Sequence, residues 1–338
     1  MRINSRSSLF GLRSLQPFSL LDAVVSSLTL SLITAIWFLG DFHALHHGDS
    51  VIFSLNSLYQ WTPFLWEYDH GGMLLPLVVS LLKRPYLNVV ALSALSSLMF
   101  LGGLTLWASL LSFRPLTLVE GSLWVALFTP LVLQKARIFA NAAPGVTSGN
   151  AFFFGGVFVW AMLKHGEAAT PAKKWLWAGA MVAFGFLAIY LSKLMLIPLA
   201  VVALLSIRAV KFYKSDRSAS LVCLAVALLA LQLLELTVPY KNDYGFNIPD
   251  IPNTFWQMFS YWLRDEVTSP LWIVAPLAVW LYRPARKQQL LISFALGIVA
   301  ETIVISSSRW VAANQFVSRY LYDLLFFTVL AVVIVATD

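Results

Sequence analysis

Cysteine is almost missing from this chain: Cys223 is the only one among 338 residues. A single thiol rules out an internal disulfide framework and a thiolate metal site. Charge is scarce as well, at 12% of residues. That excludes an ordinary soluble domain, in which about a quarter of the residues are charged. Ten-residue stretches of alternating polarity are missing too, which argues against a transmembrane barrel. No internal repeat, low-complexity tract or separate soluble domain interrupts the chain. Basic residues precede the first apolar segment, but no clean small-residue cleavage site follows it. The segment reads as a retained signal anchor rather than a cleaved signal peptide.

What the chain has in abundance is apolar surface. Hydrophobic residues make up 59% of it, in runs close to the roughly 20 residues that cross a bilayer core. Thirteen tryptophans and eleven tyrosines suit the aromatic belts at the two interfaces. The expected fold class is all-α: a polytopic membrane protein with about ten transmembrane helices in a single domain over 1–338. The spans fall at about 20–39, 88–111, 118–134, 148–163, 175–191, 194–210, 219–238, 268–282, 290–306 and 320–337. The fifth and sixth are nearly continuous, broken only around Ser192 and Lys193.

The net charge of +7 does not call for nucleic acid, because cytoplasmic loops of membrane proteins carry excess Lys and Arg. With the N-terminus inside, 14 of the 23 Lys and Arg residues fall in inside segments, the densest being Arg208, Lys211, Lys214 and Arg217. Nine fall outside. The bias predicts both termini in the cytoplasm. Acidic residues distribute the other way, with eight in outside loops. They contribute little to orientation, so their clustering has another cause.

Two outside loops are long, at about 40–87 and 239–267. The first holds four of the five histidines, together with Asp41, Asp49, Glu67 and Asp69. Within it, "SVIFSLNSLYQW" (50–61) and "MLLPLVVSLLKRP" (73–85) are helix-compatible runs too short to span. They read as helices in the outer interface plane. In "GDS" (48–50), Asp49 stands where an N-cap would. In "HALHHGD" (43–49), His43 and His47 have i,i+4 spacing with Asp49 beside them. That donor set suits Zn or Mn, although loop histidines are more often simply polar.

The order of parts resembles the GT-C superfamily, the membrane glycosyltransferases that use polyprenyl-phosphate sugars, including the protein mannosyltransferase and aminoarabinose transferase families. "YDHGGMLLPLVVSLL" (68–82) is similar to that group's segment leading into a second interfacial helix, with Gly71-Gly72 where two prolines are usual. "LFTPLVLQKARIFAN" (127–141) resembles its third span. "AFGFLAIYLSKLMLIPLAVVALL" (183–205) resembles its paired spans around a lysine. "SRYLYDLLFFTVLAVVI" (318–334) resembles the start of a late span, Arg319-Tyr320 matching its Arg-Tyr pair and Asp323 standing near the usual proline.

The resemblance implies transfer of a monosaccharide from a polyprenyl-phosphate donor to a glycan, lipid or protein acceptor outside the cytoplasm. The expected location is a bacterial inner membrane with the active site facing the periplasm or exterior. Such a reaction needs a base for the acceptor hydroxyl, cations for the departing phosphate and a dry, oriented cleft. By the resemblance Asp49 is the base, with Asp41 its rival. Glu67, Asp69 and His70 would bind the acceptor, or else form a solvated loop. Lys135, Arg137, Lys193, Arg309 and Arg319 lie at outer span ends, where the basic bias depletes cations, and would hold the lipid phosphate. Tyr320 belongs with Arg319 as a substrate-binding candidate. No cofactor is required; a divalent metal at His43 and His47 is possible.

Glu235, Glu301 and Asp323 lie within spans and are expected to pair with these cations. The same acids keep a second reading open, a transporter or flippase for a lipid-linked saccharide. A third is a non-catalytic partner in envelope assembly.

Overall fold

The computed structural model describes residues 19–38, 63–64, 73–111, 116–132, 147–209, 214–237, 248–264 and 302–308, together with Leu55, Leu58, Leu296, Val299 and Ala300. Its elements are helices: α1 Leu20–Phe38, α2 Leu74–Val79, α3 Pro85–Leu111, α4 Leu118–Val132, α5 Thr147–Glu167, α6 Pro171–Leu191, α7 Leu196–Ala209, α8 Lys214–Thr237 and α9 Ile251–Arg264. Short 3-10 turns cover Ser80–Leu82, Lys193–Met195 and Ile248–Asp250.

Three helices are long and apolar enough to cross a membrane, over Pro85–Leu110, Pro171–Leu191 and Ser218–Thr237. Their length and apolarity are those of a helical membrane protein. The outward faces of the chain agree. Val222, Val226, Leu229, Leu233 and Leu236 recur at helical spacing along α8 and are exposed, while Cys223, Leu224, Ala227 and Leu231 are buried. In water that stripe would be a liability; lipid tails are its natural solvent.

Local chemistry sets several helix starts. At α4, the Thr117 backbone N–H donates to Glu120 Oε2 at 3.0 Å. The Glu120 backbone N–H donates to Thr117 Oγ1 at 3.1 Å, which completes a capping box. At α6, Thr170 accepts from the Lys173 backbone N–H at 3.4 Å and Pro171 occupies the first helical position. Lys83 takes a left-handed conformation (φ 53°) and ends the 3-10 turn, and Pro85 then opens α3.

Small residues let α3 and α5 approach closely. A Cβ on Gly103 would lie 2.9 Å from the Phe153 backbone nitrogen and 3.1 Å from the Phe152 carbonyl carbon. On the other side, a Cβ on Gly156 would meet Leu106 and Trp107. The buried Trp107 Nε1–H donates to the Phe152 carbonyl at 2.7 Å, and Ser96 Oγ donates to Asn150 Oδ1 at 3.1 Å. Glycines at a crossing with interhelical hydrogen bonds are the means by which membrane helices associate, since burying apolar area gains little in lipid. These contacts advance together along both helices, so α3 and α5 run parallel. The short connection from Glu167 to Pro171 turns α6 back against α5. Thus α3 and α5 begin at the end of the bundle where α6 finishes.

The short α2 turns Leu75, Pro76 and Val79 inward. Leu75 and Val79 pack with Met73, Leu92 and Met99 in a small core. The segment 73–85 is therefore helical and non-spanning, as its sequence indicates, with one side against α3. Leu55 and Leu58, from the other run proposed as interfacial, are both helical.

Candidate functional site

The break between α6 and α7 builds the one part of the expected site that falls within the described residues. Ser192 is extended (φ −150°, ψ 113°), although its N–H still reaches the Ala188 carbonyl, and it ends α6. Lys193 opens the following 3-10 turn, and the Met195 N–H donates to the Ser192 carbonyl at 2.9 Å. Met195 is buried against Gly155 of α5, which anchors the turn. Lys193 is thereby held at a fixed point at the end of the bundle.

Its ammonium lies 2.9 Å from Glu235 Oε1, in the last turn of α8. The side-chain exposures are unequal, 40% for Lys193 and 8% for Glu235. The acid is the buried member and the lysine reaches outward from it. Gln232, one turn earlier, donates from Nε2 to Glu235 Oε2 at 3.0 Å. Oε1 makes no directional hydrogen bond, so the Lys193 contact is charge against charge. A buried carboxylate in an apolar bundle needs such a partner.

Three residues before Lys193, the Tyr190 hydroxyl donates to the Pro63 carbonyl. Phe64 is buried with its ring centroid 5.8 Å from that of Tyr190, and Phe186 also stacks on Tyr190. Pro63 and Phe64 belong to the first long loop. The structure therefore joins that loop to the α6–α7 break and to the end of α8. The resulting arrangement is a cation of fixed position, partly exposed, backed by a buried acid and flanked by a loop. It can receive an anionic group, and the buried acid keeps the ammonium from swinging away.

Of the candidate site residues named from sequence, Lys193 alone is described, and the structure brings it to Glu235, one of the three span acids expected to pair with outer cations; Glu301 and Asp323 lie outside the described residues. Asp41, His43, His47, Asp49, Glu67, Asp69, His70, Lys135, Arg137, Arg309, Arg319 and Tyr320 lie outside the described residues. Two contributors were missed. Gln232 is a lone amide in an apolar run, one helical turn from a buried acid, and that spacing was a usable signal. Tyr190 is an aromatic with a polar tip immediately before the break, where such a residue usually finds a partner. The functional resemblance rests on motifs alone: no family model, curated protein or solved structure matches this chain.

Proposed function

We propose that this protein is a GT-C-type glycosyltransferase of about ten spans. It would move a monosaccharide from a polyprenyl-phosphate donor to an acceptor on the extracytoplasmic side. The observation that carries the reading is Lys193, held by a buried acid at the same bundle end as the first long loop. An immobile cation beside the loop that bears the candidate base is what phosphate departure requires.

In this mechanism the acceptor hydroxyl oxygen attacks the sugar anomeric carbon from the face opposite the phosphate. The bond from that carbon to the phosphate oxygen breaks, which inverts the centre. Asp49 takes the hydroxyl proton. The pair of electrons leaves with the polyprenyl phosphate, whose charge grows as the bond lengthens, and Lys193 stabilises that charge more in the transition state than in the bound donor. Arg319 would add a planar, two-pronged contact. The two termini lie in the cytoplasm and both long loops outside.

The test is mass spectrometry of envelope glycans and polyprenyl lipids from cells with and without the gene. The reading expects one glycan to lose a single sugar residue and the matching polyprenyl-phosphate sugar to accumulate. Unchanged glycans and lipids would refute it.

A further inference from the structure

Helix α9, Ile251–Arg264, lies in the second long loop, which was not expected to hold an interfacial helix. At 1.5 Å per residue its 14 residues extend about 21 Å, short of the ~30 Å bilayer core. Residues 238–250, which close with the 3-10 turn Ile248–Asp250, join it to the end of α8, a helix long and apolar enough to cross the membrane. With Lys241, Asn242, Asp243, Asn247 and Asp250 among them, these thirteen residues are too polar to cross the hydrocarbon core, so α9 stays on the side of the bilayer where α8 finishes.

Helical register sorts its residues sharply. Ile251, Phe255, Met258, Phe259 and Trp262 fall on one side, and Pro252, Trp256 and Leu263 continue that side round the helix. Asn253, Gln257, Ser260 and Arg264 fall together opposite, and Arg264 is the helix's sole charge. Exposure divides the circumference further. Thr254 is buried and Ile251 and Phe255 half-buried, so one flank rests on protein. Next round the helix comes an exposed apolar edge, with Pro252 and with Trp256 65% exposed. Beyond it lies an exposed amide edge, where Gln257 Nε2 donates to Asn253 Oδ1 at 3.5 Å. Ile248, in the turn just before, is 71% exposed.

We propose that α9 is an interfacial membrane anchor. It lies in the plane of the leaflet at which α8 ends, with the Pro252–Trp256 edge at the boundary of headgroups and acyl chains and the Asn253–Gln257 edge in water. A tryptophan at the seam between an apolar and a polar edge is suited to that boundary, where one part of the ring is dry and its N–H is wet. With one charge in fourteen residues the binding is apolar, so it needs no anionic lipid. The inference is independent of the catalytic reading.

The test uses the full chain with Cys223→Ser, reconstituted in phosphatidylcholine vesicles. A nitroxide is attached to a single introduced cysteine, in turn Trp256→Cys, Leu263→Cys, Asn253→Cys and Gln257→Cys. Collision with oxygen, which concentrates in lipid, is compared with collision with a water-soluble nickel chelate. The proposal expects positions 256 and 263 to favour oxygen several-fold over positions 253 and 257, which favour nickel. Leu263→Cys keeps Trp256 in place and reads the same edge, so it decides the matter if Trp256→Cys does not fold. Nickel access at 263 equal to that at 253 would overturn the proposal by placing the edge in water. Shielding of 263 from both reagents would overturn it by placing a protein surface there.

Discussion

Replacing Lys193 with methionine keeps much of the side chain's length and removes its charge, leaving the Glu235 carboxylate buried without its cation. The attraction lost is large in gross terms. Two unit charges 2.9 Å apart interact by about 6 kcal/mol at an effective dielectric of 20. Solvent at the 40% exposed ammonium screens part of this. Fully exposed pairs contribute only ~0.2–1 kcal/mol, whereas breaking a fully buried pair costs ~3–5 kcal/mol. With one partner buried and the other half in water, Lys193→Met should destabilise the protein by about 2–3 kcal/mol. Glu235→Gln should cost less, about 1–2 kcal/mol, because it removes the charge that needs burial compensation and keeps an oxygen for Gln232. The double variant should be close to Glu235→Gln alone, a coupling of about 2 kcal/mol. Reversible unfolding in mixed micelles, followed for the wild type and the three variants, measures that coupling. Single effects that simply add, to within ~0.5 kcal/mol, would refute the pairing as an energetic unit. Activity separates structure from chemistry in the same set: a double variant with restored stability should still fail to transfer sugar.

Gly103→Val should destabilise by about 1–3 kcal/mol, since its Cβ meets Phe153 backbone rather than a yielding side chain. Gly179→Ala, where nothing lies within 4 Å, should be neutral or stabilising by up to ~1 kcal/mol; thermal unfolding of both in detergent checks the contrast. Asp49→Asn should cut transfer by about 10²–10⁴-fold while leaving donor binding intact, as loss of a general base does. Activity close to normal would move the role to Asp41 or Asp69. Cysteines at Ser50 and Asn247 in a Cys223→Ser background should react with an impermeant maleimide in intact cells, with any outer membrane permeabilised. Labelling only after lysis would reverse the orientation.

The helices were legible because lipid demands long, continuous apolar runs, and α1, α3, α4 and α7 begin and end within a few residues of the expected bounds. The start of α6 was placed late, at 175 rather than Pro171, because Lys173 and Lys174 end the apolar run while Thr170 and Pro171 cap the helix before them. The first turn of α8 was missed for the same reason: "KSDRSAS" is polar yet helical from Lys214. Apolarity reports burial in lipid, not backbone hydrogen bonding, so helices that extend into water are clipped. Helix α9 escaped because its apolar and polar residues alternate at the helical period and average out over a window.

The site was legible in half. A lysine with almost no loop around it is conspicuous in sequence. Its partner is 42 positions away, and only the fold could select Glu235 from the acids within the spans. Tyr190 and Pro63, 127 positions apart, are likewise joined only by packing.

The central claim is that a sugar leaves its lipid phosphate, and the most direct measurement follows that bond. The purified protein, reconstituted with a defined series of radiolabelled polyprenyl-phosphate monosaccharides and an envelope extract as acceptor, should release free polyprenyl phosphate from one member of the series. Release should fall with Asp49→Asn and with Lys193→Met/Glu235→Gln. Lipid that crosses between leaflets with its sugar still attached, and no free polyprenyl phosphate from any donor, would contradict the account and identify a transporter.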